Sequence, residues 1–352
     1  MSRTVFLDTV SPRPYDTRSF GERAVQGTEA SVMRIADALG AWVMQHNRTS
    51  AWERYLPVQR MEVEHVVVIR DSQALAQARE LFPQARLHLW LHDKVRPGSK
   101  RGRRLRRAAA LLRAANVSLI CVSDTQRREV AVTLDWAGVA GLPLCTRYNP
   151  LDEALRPDGT PVDDRQLVFF SSPNKGLAFA LDAFGQLRRA MPDLRLVVGN
   201  PGYKADALAA LAGVEFLGPQ PQPLMHAQVR RSLCTFHPNF RIPETFGLVF
   251  AESHALGTPV LTHDFGAAAE IVGDPQQLLP VKTAYRCYES LLGGVPPRWR
   301  AAPARWAGHL GLFDAYVARI REWRTGHRPV VGPDPRFALS ALAAQWRELL
   351  AP

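Results

Sequence analysis

What this 352-residue chain lacks closes several classes of function. No apolar run approaches the roughly 20 residues that a bilayer-spanning helix requires. The start, MSRTVFLDTV, has too short an apolar stretch to be read as a secretory leader, and no small-residue cleavage site follows it. Cys121, Cys145, Cys234 and Cys287 stand far apart in apolar surroundings, with no Cys-x-x-Cys pair. That is the pattern of buried thiols in a reducing compartment, neither a disulfide framework nor a metal site, and the cytoplasm is the expectation. Asp-x-Asp is absent and the histidines are scattered, so no metal is expected. Acids are missing between Lys94 and Arg113, where nine Lys or Arg crowd together, and this segment holds most of the formal charge of +11. A uniformly basic chain would imply nucleic acid; a single basic segment fits an anionic membrane as well.

What is present reads as globular. Hydrophobic residues make up 46% and charged residues 22% of the chain, and the length exceeds one ordinary core, so two domains are expected. Strand-like runs alternate with helical ones: RTVFLDTV (3–10), HVVVIR (65–70), RLHLWLH (86–92) and VSLICVS (117–123) in the first half. The Pro- and Asp-rich stretch 149–164 reads as a linker. The alternation then restarts with LVFFSS (167–172), LRLVVGN (194–200), VEFLG (214–218), LCTFHP (233–238) and TPVLTHD (258–264). Such alternation predicts two α/β domains, each a doubly wound parallel sheet with helices on both faces, and a cleft between them. The expected divisions are an N-terminal domain over 1–155, a C-terminal domain over 156–335 and a helix over 336–352 packing back towards the first. Ligands in such sheets sit beyond the carboxyl ends of the strands.

One stretch carries an anomaly. RIPETFGLVFAESHALGTPV (241–260) is largely apolar, yet places Glu244 and Glu252 eight positions apart. Burying an unpaired carboxylate is costly. Glu244 lies in the loop after a strand, and Glu252 lies inside the helix predicted over 246–256. Gly247 falls at the first turn, where free N–H groups and the helix dipole favour an anion. A carboxylate, a ring of N–H donors and a second carboxylate match, in order, the sugar hydroxyls, diphosphate and ribose of a nucleotide-sugar. Helix capping and a solvated acidic face are the alternative for the two acids.

PETFGLVFAESHALGTPVLTHDFGAAAEIV closely resembles the E-x7-E region of retaining glycosyltransferases of family 4, which have the two-domain GT-B fold. VFFSSPNKGLAFALDAFGQLRRAMPDLRLVVGNPG and VEFLGPQPQPLMHAQVRRSLCTFHPN resemble the family's preceding elements, and GTEASVMRIADAL, LWLHDKVRP and LICVSDTQR its acceptor-side domain more loosely. The resemblance implies that Glu244 contacts hydroxyls of the donor sugar. It gives Phe246, Gly247 and Leu248 to the donor, the last two through backbone N–H on phosphate, and Glu252 to the ribose. Lys175, beside Gly176 at a strand-to-helix turn, would neutralise the leaving diphosphate, as a group gaining negative charge requires. Phe169 stands where the family often carries an arginine, so Lys204 or Arg241 is a candidate to complete the clamp.

On the acceptor-side domain, Gly27 and Thr28 open a helix suited to phosphate or sugar hydroxyls, or simply cap it. His92 and Asp93, at a strand end, are candidates to orient or deprotonate the acceptor hydroxyl, with a structural histidine as the alternative. KVRPGSKRGRRLRRAAALLR (94–113) is expected to form, from about Lys100, a basic amphipathic helix, with Leu105, Ala108, Leu111 and Leu112 on one side and Arg103, Arg106, Arg107 and Arg113 on the other. It suits an anionic bilayer holding a lipid-linked acceptor, or else packs on its own domain. Few aromatics interleave with its charges, which argues against nucleic acid. The resulting expectation is a metal-independent glycosyltransferase of cell-surface polysaccharide, lipopolysaccharide or glycolipid synthesis. It would take a nucleotide-sugar as donor substrate, with no cofactor, and a saccharide or lipid-linked saccharide as acceptor, at the inner face of the membrane. A nucleotide-sugar epimerase or phosphorylase on the same scaffold is the competing enzyme, and a basic nucleic-acid-associated protein the more distant alternative.

Overall fold

The computed structural model describes residues 4–199, 211–292, 295 and 299–351; Lys204 lies outside them. Among these residues the chain divides into two compact units, one of 1–18, 27–153 and 335–352, the other of 19–26 and 154–334.

The first unit is built on seven strands: β1 (Thr4–Asp8), β2 (Trp42–Gln45), β3 (Tyr55–Pro57), β4 (His65–Ile69), β5 (Arg86–Leu91), β6 (Ser118–Cys121) and β7 (Leu144–Thr146). Their order is β3-β2-β1-β4-β5-β6-β7, and every pairing is parallel. Continuous apolar runs make this possible. All five residues of β1 and of β4 are buried, as a parallel strand covered on both faces demands. The chain runs outward from β1 to β3 and then returns to β4 on the other side of β1, so the topological switch point lies between β1 and β4. The terminal helix Leu339–Leu349 packs on the helix Gly27–Leu39, and its Trp346 enters an aromatic group with Phe6 and Trp90 at ring separations of 5.6 and 4.8 Å.

The second unit has six strands: β8 (Asp163–Phe170), β9 (Arg195–Gly199), β10 (Val214–Gly218), β11 (Ser232–His237), β12 (Val260–His263) and β13 (Leu278–Leu279). They are ordered β10-β9-β8-β11-β12-β13, again all parallel, which places the switch point between β8 and β11. The core on one face is aromatic. Phe179 lies between Phe240, Tyr285, Phe313 and Tyr316, all fully or nearly fully buried. Burial of each such ring stabilises the fold by about 1.5–3 kcal/mol.

The expected strands are present, and the short strands β2, β3, β7 and β13 join them. Three local expectations change. The basic segment forms two helices, Lys100–Arg107 and Ala109–Ala114, with Ala108 at φ −83°, ψ 1° between them. Strand β8 begins at Asp163, within the stretch read as linker, because its start pairs with Ser232 of β11. Cys287 is exposed, being off the face by which its helix buries Tyr285, Tyr288 and Leu292.

Several buried imidazoles are held neutral. Burial pushes His88, His237 and His263 down to about 4 and His92 to about 3. In the unfolded chain each takes a proton near pH 6.5. The stability they permit is therefore complete above pH 6.5 and is lost as pH falls from 6.5 towards 4, by roughly 2 kcal/mol per imidazole at pH 5. Urea unfolding at pH 7.5 and pH 5 checks this; equal stability at the two values would contradict it.

Candidate active site

Lys175 and Glu244 come from opposite sides of the second switch point. β8 runs out at Phe170 and leads into the turn Pro173–Lys175, whose Lys175 N–H donates to Ser172 O. Gly176 follows at φ +96°, a conformation that favours glycine, and opens the helix Leu177–Ala190. A Cβ at Gly176 would lie 3.4 Å from Asn239 Cα and Pro238 O, so its lack of a side chain also lets the turn abut the loop after β11. In that loop the Asn239 carboxamide accepts from the N–H groups of Arg241 and Ile242 and donates to Ile242 O, which shapes the approach to Glu244.

The two side chains meet there. Lys175 Nζ donates to Glu244 Oε2 at 2.7 Å, with 31% of the lysine side chain exposed and 7% of the glutamate. Glu244 Oε1 is buried and has no hydrogen-bond partner among the described residues. This answers the anomaly of the sequence for the first acid: it is buried, and a lysine from the neighbouring strand's loop pairs with it.

A residue that the sequence reading passed over fixes Glu244 from behind. Gly266, at φ +71°, forms an isolated parallel bridge with Glu244, and Ala267 N–H donates to Glu244 O at 3.0 Å. A Cβ on Gly266 would stand 2.6 Å from that carbonyl oxygen, so only glycine allows the contact. The sequence signal was present in HDFGAAAE, a glycine in the loop after a strand.

Gly247, at φ +91°, caps the helix Leu248–Ala255, which begins two residues later than expected. Leu248 stands in the first turn, whose N–H groups lack intrahelical acceptors. Glu252 is buried on this helix, and Phe246 is buried just before it. The helix is tied to β11 by a 2.6 Å hydrogen bond between Ser253 Oγ and Thr235 Oγ1. The structure thus brings together Lys175, Glu244, Phe246, Gly247, Leu248 and Glu252 around the ends of β8 and β11. Arg241 is exposed on the same loop.

Phe169 stacks flat on His237, with rings 5.4 Å apart and 6° from parallel, and Phe250 meets the same imidazole edge-on at 5.3 Å. Neither ring nitrogen of His237 has a hydrogen-bond partner among the described residues. Burial chiefly, with the Lys175 charge adding to it, outweighs Glu244 and keeps this imidazole neutral. Where the resemblance leads one to expect an arginine, the site has a phenylalanine packed on an uncharged histidine.

The remaining candidates lie in the first unit. Gly27 and Thr28 form the first turn of the helix Gly27–Leu39, and Glu29 beside them is buried and accepts from Ser11 Oγ at 2.9 Å. His92 packs its ring 4.4 Å from that of Trp90. Asp93 takes a paired hydrogen bond from Arg70, at 2.7 and 3.2 Å, and an ion pair from Arg101 at 2.8 Å. Burial works to raise this carboxyl, but the guanidiniums outweigh it and hold it below the usual range. The pair therefore divides into a neutral imidazole packed on an indole and a carboxylate that two arginines engage.

The fold is that of GT-B glycosyltransferases. The structure aligns over its full length with the Anabaena protein HepE solved with UDP and glucose (TM-score 0.63, 18% identity, all of both chains). It also aligns with sucrose-phosphate synthase from Thermosynechococcus elongatus (TM-score 0.61, 15% identity, 99% of this chain and 98% of that one). Residues 153–284 match the family described as glycosyl transferases group 1. Among curated proteins it is 31% identical over 239 residues to the phosphatidyl-myo-inositol mannosyltransferase of Mycobacterium tuberculosis, covering 65% of this chain and 58% of that one. It is 33% identical over 205 residues to the D-inositol 3-phosphate glycosyltransferase of Thermomonospora curvata, covering 51% and 47%. The chain thus spans less than two thirds of the length of these relatives.

Proposed function

We propose that the chain is a glycosyltransferase that moves a sugar from a nucleotide-sugar to a lipid-linked acceptor, with retention at the anomeric carbon and without a divalent metal. The observation that carries the reading is the half-satisfied Glu244 carboxylate. One oxygen is taken by Lys175 and the other is a buried acceptor with no partner among the described residues, which a sugar hydroxyl satisfies. Lys175, a third exposed, offsets the charge that gathers on the departing diphosphate, together with the N–H groups at Gly247 and Leu248. Glu252 holds the ribose hydroxyls. On the acceptor side, Gly27 and Thr28 offer backbone N–H groups, and His92 and Asp93 position the acceptor. Two curated relatives named for inositol-containing acceptors support a glycolipid or polyol acceptor.

Outward-facing arginines bring the enzyme to the anionic inner face of the membrane. Arg103, Arg106 and Arg107 are exposed on the helix Lys100–Arg107, and Arg106 lies 5.1 Å over the Trp136 ring, which is 36% exposed. A cation over a partly exposed indole suits the headgroup layer. No helix of the described residues is long and apolar enough to cross a membrane.

In excess chelator, Glu244→Gln is expected to cut turnover sharply while leaving affinity for the best-bound nucleoside diphosphate intact; Glu252→Ala is expected to weaken the nucleotide itself. A thermal-shift panel of nucleoside diphosphates reads the second effect, since a ligand of the native state raises the melting temperature. Small and equal effects from both changes would return the acids to helix capping.

For the surface, the triple change Arg103→Gln, Arg106→Gln, Arg107→Gln should abolish co-sedimentation with anionic vesicles at low salt, each basic group contributing about 1 kcal/mol. Wild-type protein that ignores such vesicles would rule out the attachment.

A further inference from the structure

The helix that carries the exposed Arg103, Arg106 and Arg107 sets two other arginines, the half-buried Arg104 and the exposed Arg101, beside a pocket. Arg101 and Arg104 line a pocket of about 60 Å³ with Arg70, Ser72 and Asp93, over an apolar floor that includes Val10. The pocket lies beyond the carboxyl ends of β1, β4 and β5, beside the first unit's switch point, where ligands of such sheets bind.

Arg70 is the first residue after β4 and sits at φ +66°, a left-handed conformation that a long side chain adopts only under constraint. Its N–H still completes the ladder to Trp90 O at 2.9 Å, so the backbone turns abruptly here and swings the guanidinium across to Asp93. Strain of this kind is retained where a fixed geometry is used.

The donors outnumber the acceptors. Three guanidiniums bring roughly fifteen N–H groups, five each. Against them stand Asp93, which takes two bonds from Arg70 and one contact from Arg101, and Asp71, which Arg104 reaches at 3.5 Å. The buried acids behind Arg70 are occupied elsewhere: Asp8 accepts from the Val10 and Ser11 N–H groups and the Tyr15 hydroxyl, and Glu29 from the Ser11 hydroxyl. The carboxylates align the guanidinium planes without exhausting them; the lining side chains count three guanidiniums against Asp71 and Asp93, while Asp8 and Glu29 act on Arg70 from behind.

We propose that Arg70, Arg101 and Arg104 form an anion subsite that holds a phosphate group of the acceptor. A tetrahedral phosphate accepts several charge-assisted bonds at once, and guanidiniums match it in pairs. The proposal rests on the glycosyltransferase reading for the word acceptor, but the subsite itself is defined by binding alone. The phosphate has two possible sources, the diester of a lipid headgroup and the monoester of a soluble polyol phosphate.

The test uses the full chain with Arg103, Arg106 and Arg107 changed to Gln, which removes general adsorption. Calorimetric titration is carried out with dihexanoyl phosphatidylglycerol below its micelle concentration, with glycerol 3-phosphate, and with glycerol as the phosphate-free control. Each is measured with and without the nucleoside diphosphate that stabilises the protein most. At least one phosphate probe is expected to bind, glycerol is not, and the probe that binds names the source. Adding Arg101→Gln and Arg104→Gln, both on a surface helix, should weaken that binding at least tenfold while leaving the nucleotide-induced thermal shift unchanged. Phosphate probes that bind no better than glycerol, or equally well after the change, would overturn the subsite. Loss of the nucleotide shift in the unchanged protein would instead overturn the donor reading, leaving the phosphate result to stand by itself.

Discussion

A single ion pair across a topological switch point organises the second unit. Lys175 leaves β8 and Glu244 leaves β11, strands that are neighbours in the sheet but more than sixty residues apart in the chain. Burying the carboxylate alone would be prohibitive, and removing one member of a buried pair leaves an uncompensated charge costing several kcal/mol. Each therefore fixes the position of the other. Because Lys175 is a third exposed while Glu244 is nearly covered, the pair has one face towards solvent and one anchored in the protein.

Three glycines make this pair geometrically possible. Gly176 brings the lysine turn against the Asn239 loop, Gly266 lets a second strand's loop bridge to the Glu244 backbone, and Gly247 turns the chain into the helix that carries Glu252. Each has positive φ, and at Gly266 a methyl group would strike the Glu244 backbone. Behind them Phe169 stacks flat on His237, an imidazole that burial keeps neutral. The lysine's charge is thus directed at Glu244 and at whatever anion approaches it.

Much of this was legible in the sequence because it is local. Two acids eight apart, a glycine between them and a lysine-glycine pair after an apolar strand are short-range patterns, and the parallel alternation fixed where strand ends lie. Missing from it were contacts between distant segments. Gly266 matters only because β12 lies next to β11, and His237 acquires its neutral state from Phe169 and Phe250. Asp93 reads as a candidate base until Arg70 and Arg101 are placed on it. The basic helix expected from about Lys100 breaks at Ala108 and sets Arg101 and Arg104 beside a pocket. Strands of two to four residues, such as β2, β3 and β13, carry too little periodicity to be seen.

The central claim is that Lys175 and Glu244 act as one unit on the donor. A double-mutant cycle on turnover tests it most directly, with Lys175→Ala, Glu244→Gln and the two combined. If they act together, each single change lowers kcat by about a hundredfold or more, and the combination is little worse than the more damaging single change. If the losses instead multiply, or either single variant keeps wild-type turnover, the two side chains act independently and the ion pair is not the organising element of the site.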